Sequence, residues 1–170
     1  MIKTIDFRGY KYPALQAEGF AAQYAFPFAK KVLEYCQTVY DVGCNREEWK
    51  YPGAIPIDPV IDSRYNAMNF PKSSLNPDGI FSSHCLEHLP DWVGALNYWN
   101  EQLNKGGILF LYLPHYDQQY WRPWNNRKHI HAFTPSLIRD YLLLSGIWTD
   151  IMVTDGHDLN HSFYAIASKR

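Results

Sequence analysis

The sequence lacks an excess of charge of either sign. Its 16 Lys and Arg residues nearly balance 17 Asp and Glu residues, so the net charge is −1 at pH 7. Non-specific binding of nucleic acid needs a basic surface, and no run of like charge is long enough to form a tail. The composition therefore predicts neither a strong nucleic-acid interface nor a charged interaction tail.

Long apolar runs and paired cysteines are also missing. The longest apolar run is Ile108–Leu113, much shorter than the roughly 20 residues that a membrane helix needs. The first residues mix acid and base without an apolar segment, so no signal peptide is expected. The cysteines, Cys36, Cys44 and Cys85, show no metal-type or redox-type spacing. An odd number of cysteines in such a chain fits the reducing cytoplasm.

What the sequence does contain is enough apolar material for one domain. The chain has 170 residues, of which 46% are hydrophobic and 16% aromatic. This length suits a single domain over residues 1–170. The aromatic side chains either fill the core of a short chain or line a ligand pocket, and both interpretations stay open.

The hydrophobic pattern alternates between helices and strands. It predicts a helical segment within residues 1–37, mostly over Ala14–Gln37 and broken near Pro27. Helices are also expected from Trp92, with Asp91 as N-cap, and from Pro135, with Thr134 as N-cap. Strands are predicted at Thr38–Val42, Ala54–Asp58, Tyr65–Phe70, Gly79–Ser83, Ile108–Leu113, Trp148–Val153 and Phe163–Ala167. This order is typical of a doubly wound, mostly parallel sheet with helices on both faces.

Polar residues follow the first two predicted strands. Gly43 sits in the turn Asp41–Asn45, where a glycine lets backbone N–H groups approach a ligand closely. Asp58 ends the second strand, a position from which a carboxylate can accept hydrogen bonds from ribose hydroxyls. Asp58 could equally be a turn residue before Pro59. We favour the ribose role, because parallel strands end at a common crevice.

The segment Ser82–His88 follows the fourth predicted strand and contains two histidines and a glutamate. His84 and His88 have the i, i+4 spacing of some metal ligands, but no third ligand lies nearby in the sequence. The sequence therefore predicts no metal site. The segment is expected to form the floor of the crevice.

Four blocks, in this order, resemble class I S-adenosylmethionine-dependent methyltransferases, a family that includes many sugar and metabolite methyltransferases. They are Val39–Asn45, Ile57–Asp58, Asp78–Asp91 and Leu103–Leu109, of which the last two are the most specific. The resemblance extends over about residues 38–168. It implies S-adenosylmethionine as cofactor and a seven-stranded sheet with an antiparallel last strand, here with a shortened first crossover helix.

The resemblance also implies roles for individual residues. The turn at Asp41, Gly43, Cys44 and Asn45 would contact the methionine part of the cofactor, and Asp58 its ribose. Asn66 and Ala67 match the position that contacts adenine. The remaining implied contacts are Ser83 and His84 near the sulfur and Leu86 on the adenosine side.

The segment 114–133 is long for a connection in a compact domain, which is typical of a substrate lid. His115 follows the central strand directly and is our candidate for a general base. The aromatic, histidine and arginine side chains suit a sugar-like or anionic small-molecule acceptor. The candidate substrate residues are Tyr116, Trp121, Arg122, His129 and His131.

Two other functions remain open at this point. The family usually has a second glycine where this chain has Asn45, so a non-catalytic interaction module with the same fold is one alternative. An NAD-dependent oxidoreductase is a weaker one, because its first turn would read Gly-x-Gly-x-x-Gly, and only Gly43 is present.

Overall fold

The computed structural model describes residues 3–17, 19, 21–72 and 76–170. The chain opens with two antiparallel strands, β1 (Thr4–Phe7) and β2 (Tyr10–Pro13), which the prediction of a helical N-terminal segment missed. Arg8 and Gly9 connect them with φ angles of 52° and 82°, the two positive values that a tight two-residue hairpin turn requires.

Two helices follow the hairpin, α1 (Ala14–Ala17) and α2 (Ala22–Val32). The predicted break at Pro27 is wrong, because Pro27 lies inside α2. A proline within a helix removes one backbone hydrogen bond. Ala25 and Ala29 of the same helix are completely buried against the sheet, and this packing offsets the lost bond.

The main sheet has six strands in the described part of the chain. They are β3 (Val39–Val42), β4 (Ile55–Ile57), β5 (Gly79–Ser83), β6 (Ile108–Pro114), β7 (Trp148–Val153) and β8 (Ser162–Lys169). Their order in the sheet is β4-β3-β5-β6-β8-β7. The strands β3, β4, β5 and β6 are mutually parallel, and β8 is antiparallel to both of its neighbours. The predicted mostly parallel sheet with an antiparallel last strand is therefore confirmed.

The third predicted strand, over Tyr65–Phe70, is not formed, which leaves six of the seven expected strands in the described sheet. Asn66 and Asn69 instead pair with each other across a tight turn. The Asn66 side chain accepts a hydrogen bond from the Met68 N–H at 2.8 Å, a local contact that favours turns over strands. Phe70 still reaches the core and is buried, which accounts for the apolar pattern that resembled a strand.

Two further helices are α3 (Trp92–Gln102), between β5 and β6, and α4 (Pro135–Leu144), between β6 and β7. The Asp91 carboxylate accepts a hydrogen bond from the Gly94 N–H at 2.8 Å. The Thr134 hydroxyl accepts one from the Leu137 N–H at 3.2 Å. Both predicted N-caps are confirmed, since each satisfies a backbone donor of the first turn.

Alternate side chains of β6 belong to two different apolar clusters. Leu109 and Leu111 pack in the cluster that contains residues of α3 and α4, such as Trp99. Phe110 packs with Ala29 of α2 in the other. Because neighbouring residues of a strand point to opposite sides, the central strand is buried on both of its sides, as its continuous hydrophobicity indicated.

The strand order determines where a crevice is expected at the edge of the sheet. The chain leaves β3 toward β4 on one side and returns at β5 on the other, so a switch point lies between β3 and β5. The β3–β4 connection contains only a 3₁₀ turn, Glu47–Trp49, in keeping with the shortened crossover predicted there. No helix within the described ranges is long and apolar enough to span a membrane.

Candidate functional site

A cavity of about 510 Å³ opens at the carboxyl ends of β3 and β5, a volume within the range of small-molecule sites. It brings together nine of the residues that the sequence suggested for cofactor or substrate, namely Asp41, Gly43, Cys44, Asn45, Asp58, Ser83, His84, Trp121 and His129. A second hollow, of about 590 Å³, lies between α2 and the start of β3. None of these nine residues lines that second hollow.

The turn after β3 has the backbone conformation of a two-glycine turn. Gly43 has φ of 85°, and Asn45, in place of the second glycine, has φ of 62°. Asparagine tolerates this left-handed region better than most residues. A Cβ on Gly43 would lie 2.4 Å from both Cβ and Sγ of Cys85. Gly43 is therefore required by its contact with the loop after β5 as well as by its φ.

Asp58 lies at the end of β4 and is oriented by two backbone donors. Its Oδ2 accepts a hydrogen bond from the Asn45 N–H at 2.8 Å, and its Oδ1 accepts one from the Val60 N–H at 2.9 Å. The side chain is largely buried but lines the cavity. Each oxygen accepts one of these bonds and retains capacity for another, so the carboxylate can accept further hydrogen bonds from a ligand.

Asp41 is the second carboxylate of the cavity and is almost completely buried. Its Oδ2 accepts a hydrogen bond from the Tyr51 N–H at 2.6 Å. The pKa of Asp41 is raised to about 7, mainly by burial and also by the nearby Asp58, against the opposing effects of the Tyr51 N–H and Lys50. A cationic group in the cavity would favour the ionised form of this carboxyl.

The end of β5 contributes Ser83 and His84. The Ser83 hydroxyl oxygen is buried and has no hydrogen-bond partner among the described residues, which leaves it available to a ligand in the cavity. His84 has φ of 49°, and its Nε2 lies 2.9 Å from the Ser162 hydroxyl. Burial, with His129 and His88 nearby, holds the pKa of His84 well below its usual value. His84 is therefore neutral at physiological pH.

The long segment after β6 divides between two hollows. Trp121 and His129 line the main cavity, and their rings stack with centroids 4.7 Å apart. Burial lowers the pKa of His129 to about 3. The other candidates from this segment, namely His115, Tyr116, Arg122 and His131, line a separate and much smaller depression, which Trp121 and His129 also border.

The side chains of these four candidates contact other residues of the same segment or, for His131, the Leu89 backbone. His115 Nδ1 accepts a hydrogen bond from the Asp117 N–H at 3.1 Å, and burial lowers its pKa. The Arg122 guanidinium lies 4.0 Å from the centre of the Tyr116 ring and donates to the Tyr116 carbonyl. His131 Nε2 lies 2.9 Å from the Leu89 carbonyl oxygen.

Three predicted cofactor residues do not reach the cavity. Within the described part of the chain, its walls omit Asn66, Ala67 and Leu86. Leu86 is completely buried in the core, and the Ala67 carbonyl accepts a hydrogen bond from the Trp99 indole at 2.6 Å. Asn66 lies in the turn that replaces the expected strand.

The cavity also includes residues that the sequence did not suggest. Gln16, Gly19, Ala21 and Ala22, in and between α1 and α2, form part of its wall. The Gln16 side chain donates hydrogen bonds to the Asn160 carbonyl and the Ser162 hydroxyl. No local pattern could reveal this long-range contact. The other unpredicted lining residues are Trp49, Cys85, His88, Leu89 and Lys128; of these, Cys85, His88 and Leu89 lie inside the block that carried the family resemblance.

Comparison with solved structures identifies the fold. The chain is similar to a methyltransferase from Thermotoga maritima described as a possible histamine N-methyltransferase, with TM-score 0.72 and 15% identity over 92% of this chain and 93% of that one. A SAM-dependent methyltransferase from Archaeoglobus fulgidus has a TM-score of 0.63 and 16% identity, and the match covers 91% of this chain and 94% of that one. The N-methyltransferase NodS from Bradyrhizobium japonicum, solved with S-adenosyl-L-homocysteine, has a TM-score of 0.58 and 15% identity, and the match covers 88% of this chain and 87% of that one.

A family model described as a methyltransferase domain matches residues 23–146. No curated protein matches the chain significantly by sequence. The matched range includes the turn at Gly43, the ends of β4 and β5, and the segment 114–133, whose residues Trp121 and His129 line the cavity. The chain therefore belongs to the methyltransferase domain family and has the class I fold of S-adenosylmethionine-dependent methyltransferases.

Proposed function

We propose that the main cavity binds S-adenosylmethionine and that the protein transfers its methyl group to a small polar acceptor. The observation that carries this proposal is the pair of buried carboxylates, Asp41 and Asp58, on either side of the Gly43–Asn45 turn. The cofactor carries a positive ammonium and a positive sulfonium together with a ribose diol. Two carboxylates in one cavity are complementary to this combination of cations and hydroxyl donors.

The donors and acceptors around the cavity suggest how the cofactor lies. We assign the ribose to Asp58, whose oriented oxygens can still accept hydrogen bonds. The turn from Asp41 to Asn45 is assigned to the methionine part, because it lines the cavity and Gly43 has no side chain that would keep a ligand from its backbone. Ser83, with its unpartnered buried hydroxyl, and His84 are assigned to the floor near the sulfur.

Asn66, Ala67 and Leu86 were expected to contact the adenosine. None of the three lines the cavity, because Asn66 and Ala67 lie in the turn closed by Asn66 and Asn69, and Leu86 is completely buried in the core. We therefore do not include these three residues in the proposed site.

The acceptor half of the cavity combines aromatic and polar side chains. Trp121, Lys128 and His129 line it from the segment after β6. Flat aromatic faces beside polar groups suit a polar ring such as a sugar, as well as other small polar molecules. Because the sulfonium methyl is already activated, the protein's task is to orient the acceptor and exclude water.

A hydroxyl acceptor would also need its proton removed. We keep His115 as the proposed base because it follows β6 directly and borders the depression that Trp121 and His129 also line. A bound acceptor would have to extend from the main cavity toward that depression. Tyr116, Arg122 and His131 are proposed to contact the same extension.

Binding experiments with three ligands test the proposal. Thermal unfolding and calorimetry would be carried out with S-adenosylmethionine, S-adenosylhomocysteine and NAD. A ligand at a hundred times its dissociation constant stabilises a protein by about 2.7 kcal/mol, and we expect this from the first two ligands only. Stabilisation by NAD alone would favour an oxidoreductase, and no effect from any ligand would favour a non-catalytic module.

The domain organisation and the cellular location of the protein are also proposals. We infer that residues 1–170 act as one domain whose helices cover both faces of the sheet, because the two apolar clusters include α2 in one and α3 and α4 in the other. Cys36, Cys44 and Cys85 are free thiols, which supports a location in the reducing cytoplasm.

A further inference from the structure

The carboxylate of Glu87 is completely buried beside three histidines that line the cavity. Neither of its oxygens has a hydrogen-bond partner among the described residues. A buried carboxylate without a partner is costly and is normally paired with a cation, a donor or a metal ion. The described residues therefore leave the Glu87 carboxylate without the partner that it needs.

Three imidazole nitrogens surround the Oε1 atom of Glu87. His84 Nδ1 lies 3.6 Å from it, His129 Nε2 3.7 Å and His88 Nε2 3.8 Å. These separations are too long for hydrogen bonds. They are close to the roughly 3.3 to 3.5 Å that separates two ligands of one tetrahedral ion whose bonds are about 2.0 to 2.1 Å long.

The other ring nitrogens of two of these histidines are already engaged. His88 Nδ1 lies 2.6 Å from the Lys128 carbonyl oxygen, to which it must donate. His84 Nε2 lies 2.9 Å from the Ser162 hydroxyl. When Nδ1 carries the proton of a neutral imidazole, the lone pair is on Nε2, the nitrogen that lies 3.8 Å from Glu87 Oε1. Metal-binding histidines are commonly oriented by such a bond from the second nitrogen.

The fold brings His129 to this cluster from a distant part of the chain. The Ile130 and His131 N–H groups both donate to the Glu87 backbone carbonyl, at 2.9 and 3.2 Å. The His129 ring stacks on Trp121 and contacts the edge of His88 at 4.7 Å between centroids. The prediction of no metal site depended on the missing third ligand, and His129 supplies a residue of the required type.

We propose that Glu87, His88 and His129 bind one divalent first-row transition-metal ion, such as Zn²⁺. Their ligand atoms all lie within 4.8 Å of one another. Two imidazoles and one carboxylate suit Zn²⁺, Co²⁺ or Fe²⁺ rather than Mg²⁺ or Ca²⁺, which prefer oxygen ligands. His84 is the nearest further ligand, through its Nδ1.

His88 and His129 also line the main cavity. Three protein ligands leave a coordination position open, as in catalytic rather than structural zinc sites. A water molecule or, if the proposed function is correct, a polar atom of the methyl acceptor would occupy that position. The metal site itself does not depend on the cofactor, so the two proposals can fail separately.

Titration of the metal-free protein tests this site. The full chain, treated with a chelator, would be titrated with Zn²⁺ in a calorimeter and with Co²⁺ in a spectrophotometer. We expect one ion per chain and the visible absorption of a low-coordinate Co²⁺ ion. Glu87→Gln, His88→Gln and His129→Gln should each weaken Zn²⁺ binding at least about tenfold.

The matched control is His131→Gln, since His131 is close in the sequence and bonds the Leu89 carbonyl instead. This variant should bind Zn²⁺ as the wild type does. His88 is exposed, so His88→Gln is expected to fold even if the two buried variants do not, with circular dichroism as the check. Absence of saturable binding, or wild-type affinity in folded His88→Gln, would overturn the proposal, as would an equal loss in His131→Gln.

Discussion

The backbone N–H of Asn45 donates a hydrogen bond to the Asp58 carboxylate at 2.8 Å. This bond joins the turn after β3 to the end of β4, the two places where the sequence suggested cofactor contacts. Asn45 makes this bond from a left-handed backbone conformation, with φ of 62°. The replacement of the second glycine by Asn45 therefore preserves the backbone geometry of the site.

Asp58→Ala should weaken the binding of S-adenosylhomocysteine by about 10- to 100-fold, because hydrogen bonds to a charged group contribute about 1.5 to 3 kcal/mol. Calorimetry measures the affinity directly. Asp62→Ala is the matched control, since Asp62 lies on the surface and pairs with Arg64 at 2.7 Å. Equal affinities for Asp58→Ala and the wild type would remove Asp58 from the site.

Gly43→Ala should destabilise the protein more than Gly53→Ala. Both glycines have φ above 80°, so both variants share a backbone cost of about 1 to 2 kcal/mol. Only at position 43 would the new Cβ meet other atoms, those of Cys85 at 2.4 Å; nothing lies within 4 Å at position 53. The contact should add about 1 to 3 kcal/mol, measurable by urea unfolding. Equal losses would show that the turn can move away from Cys85.

Asn45→Gly should retain the stability and the cofactor affinity of the wild type, because glycine adopts the positive φ without cost. Asn45→Val places a β-branched side chain in a conformation that costs about 1 to 3 kcal/mol. It should lower the free energy of unfolding and, by distorting the bond to Asp58, the affinity for S-adenosylhomocysteine. If Asn45→Val binds as tightly as Asn45→Gly, the left-handed turn is not needed for binding.

Cofactor affinity should fall as the pH falls below about 7. The free protein holds the pKa of Asp41 at about 7, through burial and the nearby Asp58 against the opposing effects of the Tyr51 N–H and Lys50. A bound cation lowers this pKa, so binding is strongest where Asp41 is ionised and weakens by up to about tenfold per pH unit below 7. Asp41→Asn should remove this dependence, and calorimetry between pH 5 and 8 would compare the two proteins. The same slope in both would assign the effect to another group.

His115→Ala should leave the affinity for S-adenosylhomocysteine unchanged, because His115 lines the smaller depression and not the main cavity. If His115 acts as the base, turnover of a hydroxyl acceptor should fall by about 10²- to 10⁴-fold. Single-turnover kinetics at saturating cofactor would separate the two effects. Turnover at the wild-type rate would exclude His115 as the base.

Local signals predicted much of the fold. The caps at Asp91 and Thr134 depend on residues three positions apart, and β6 is recognisable from its continuous apolar run. The segment Tyr65–Phe70 was predicted wrongly from such signals. The apolar Phe70 suggested a strand, but the Asn66 side chain stabilises a turn by accepting a hydrogen bond from the backbone. The two interpretations of the aromatic content both hold, because Trp99 is buried in the core and Trp121 lines the cavity.

Some residues of the candidate site could also be predicted from local signals, and others could not. Asp41, Gly43, Asp58 and Ser83 were predictable because each lies at the end of a strand or directly after it, and the ends of parallel strands meet at one edge. Gln16 and His129 reach the cavity through contacts with residues far away in the sequence. Their positions depend on how the connecting segments pack, which no periodic pattern encodes.

A crystal structure of the protein with S-adenosylhomocysteine tests the central claim most directly. The account predicts both ribose hydroxyls within about 2.6 to 3.2 Å of the Asp58 carboxylate, with the sulfur on the side of the cavity lined by Ser83 and His84. A nucleoside bound elsewhere, or one in this cavity that makes no contact with Asp58, would contradict it.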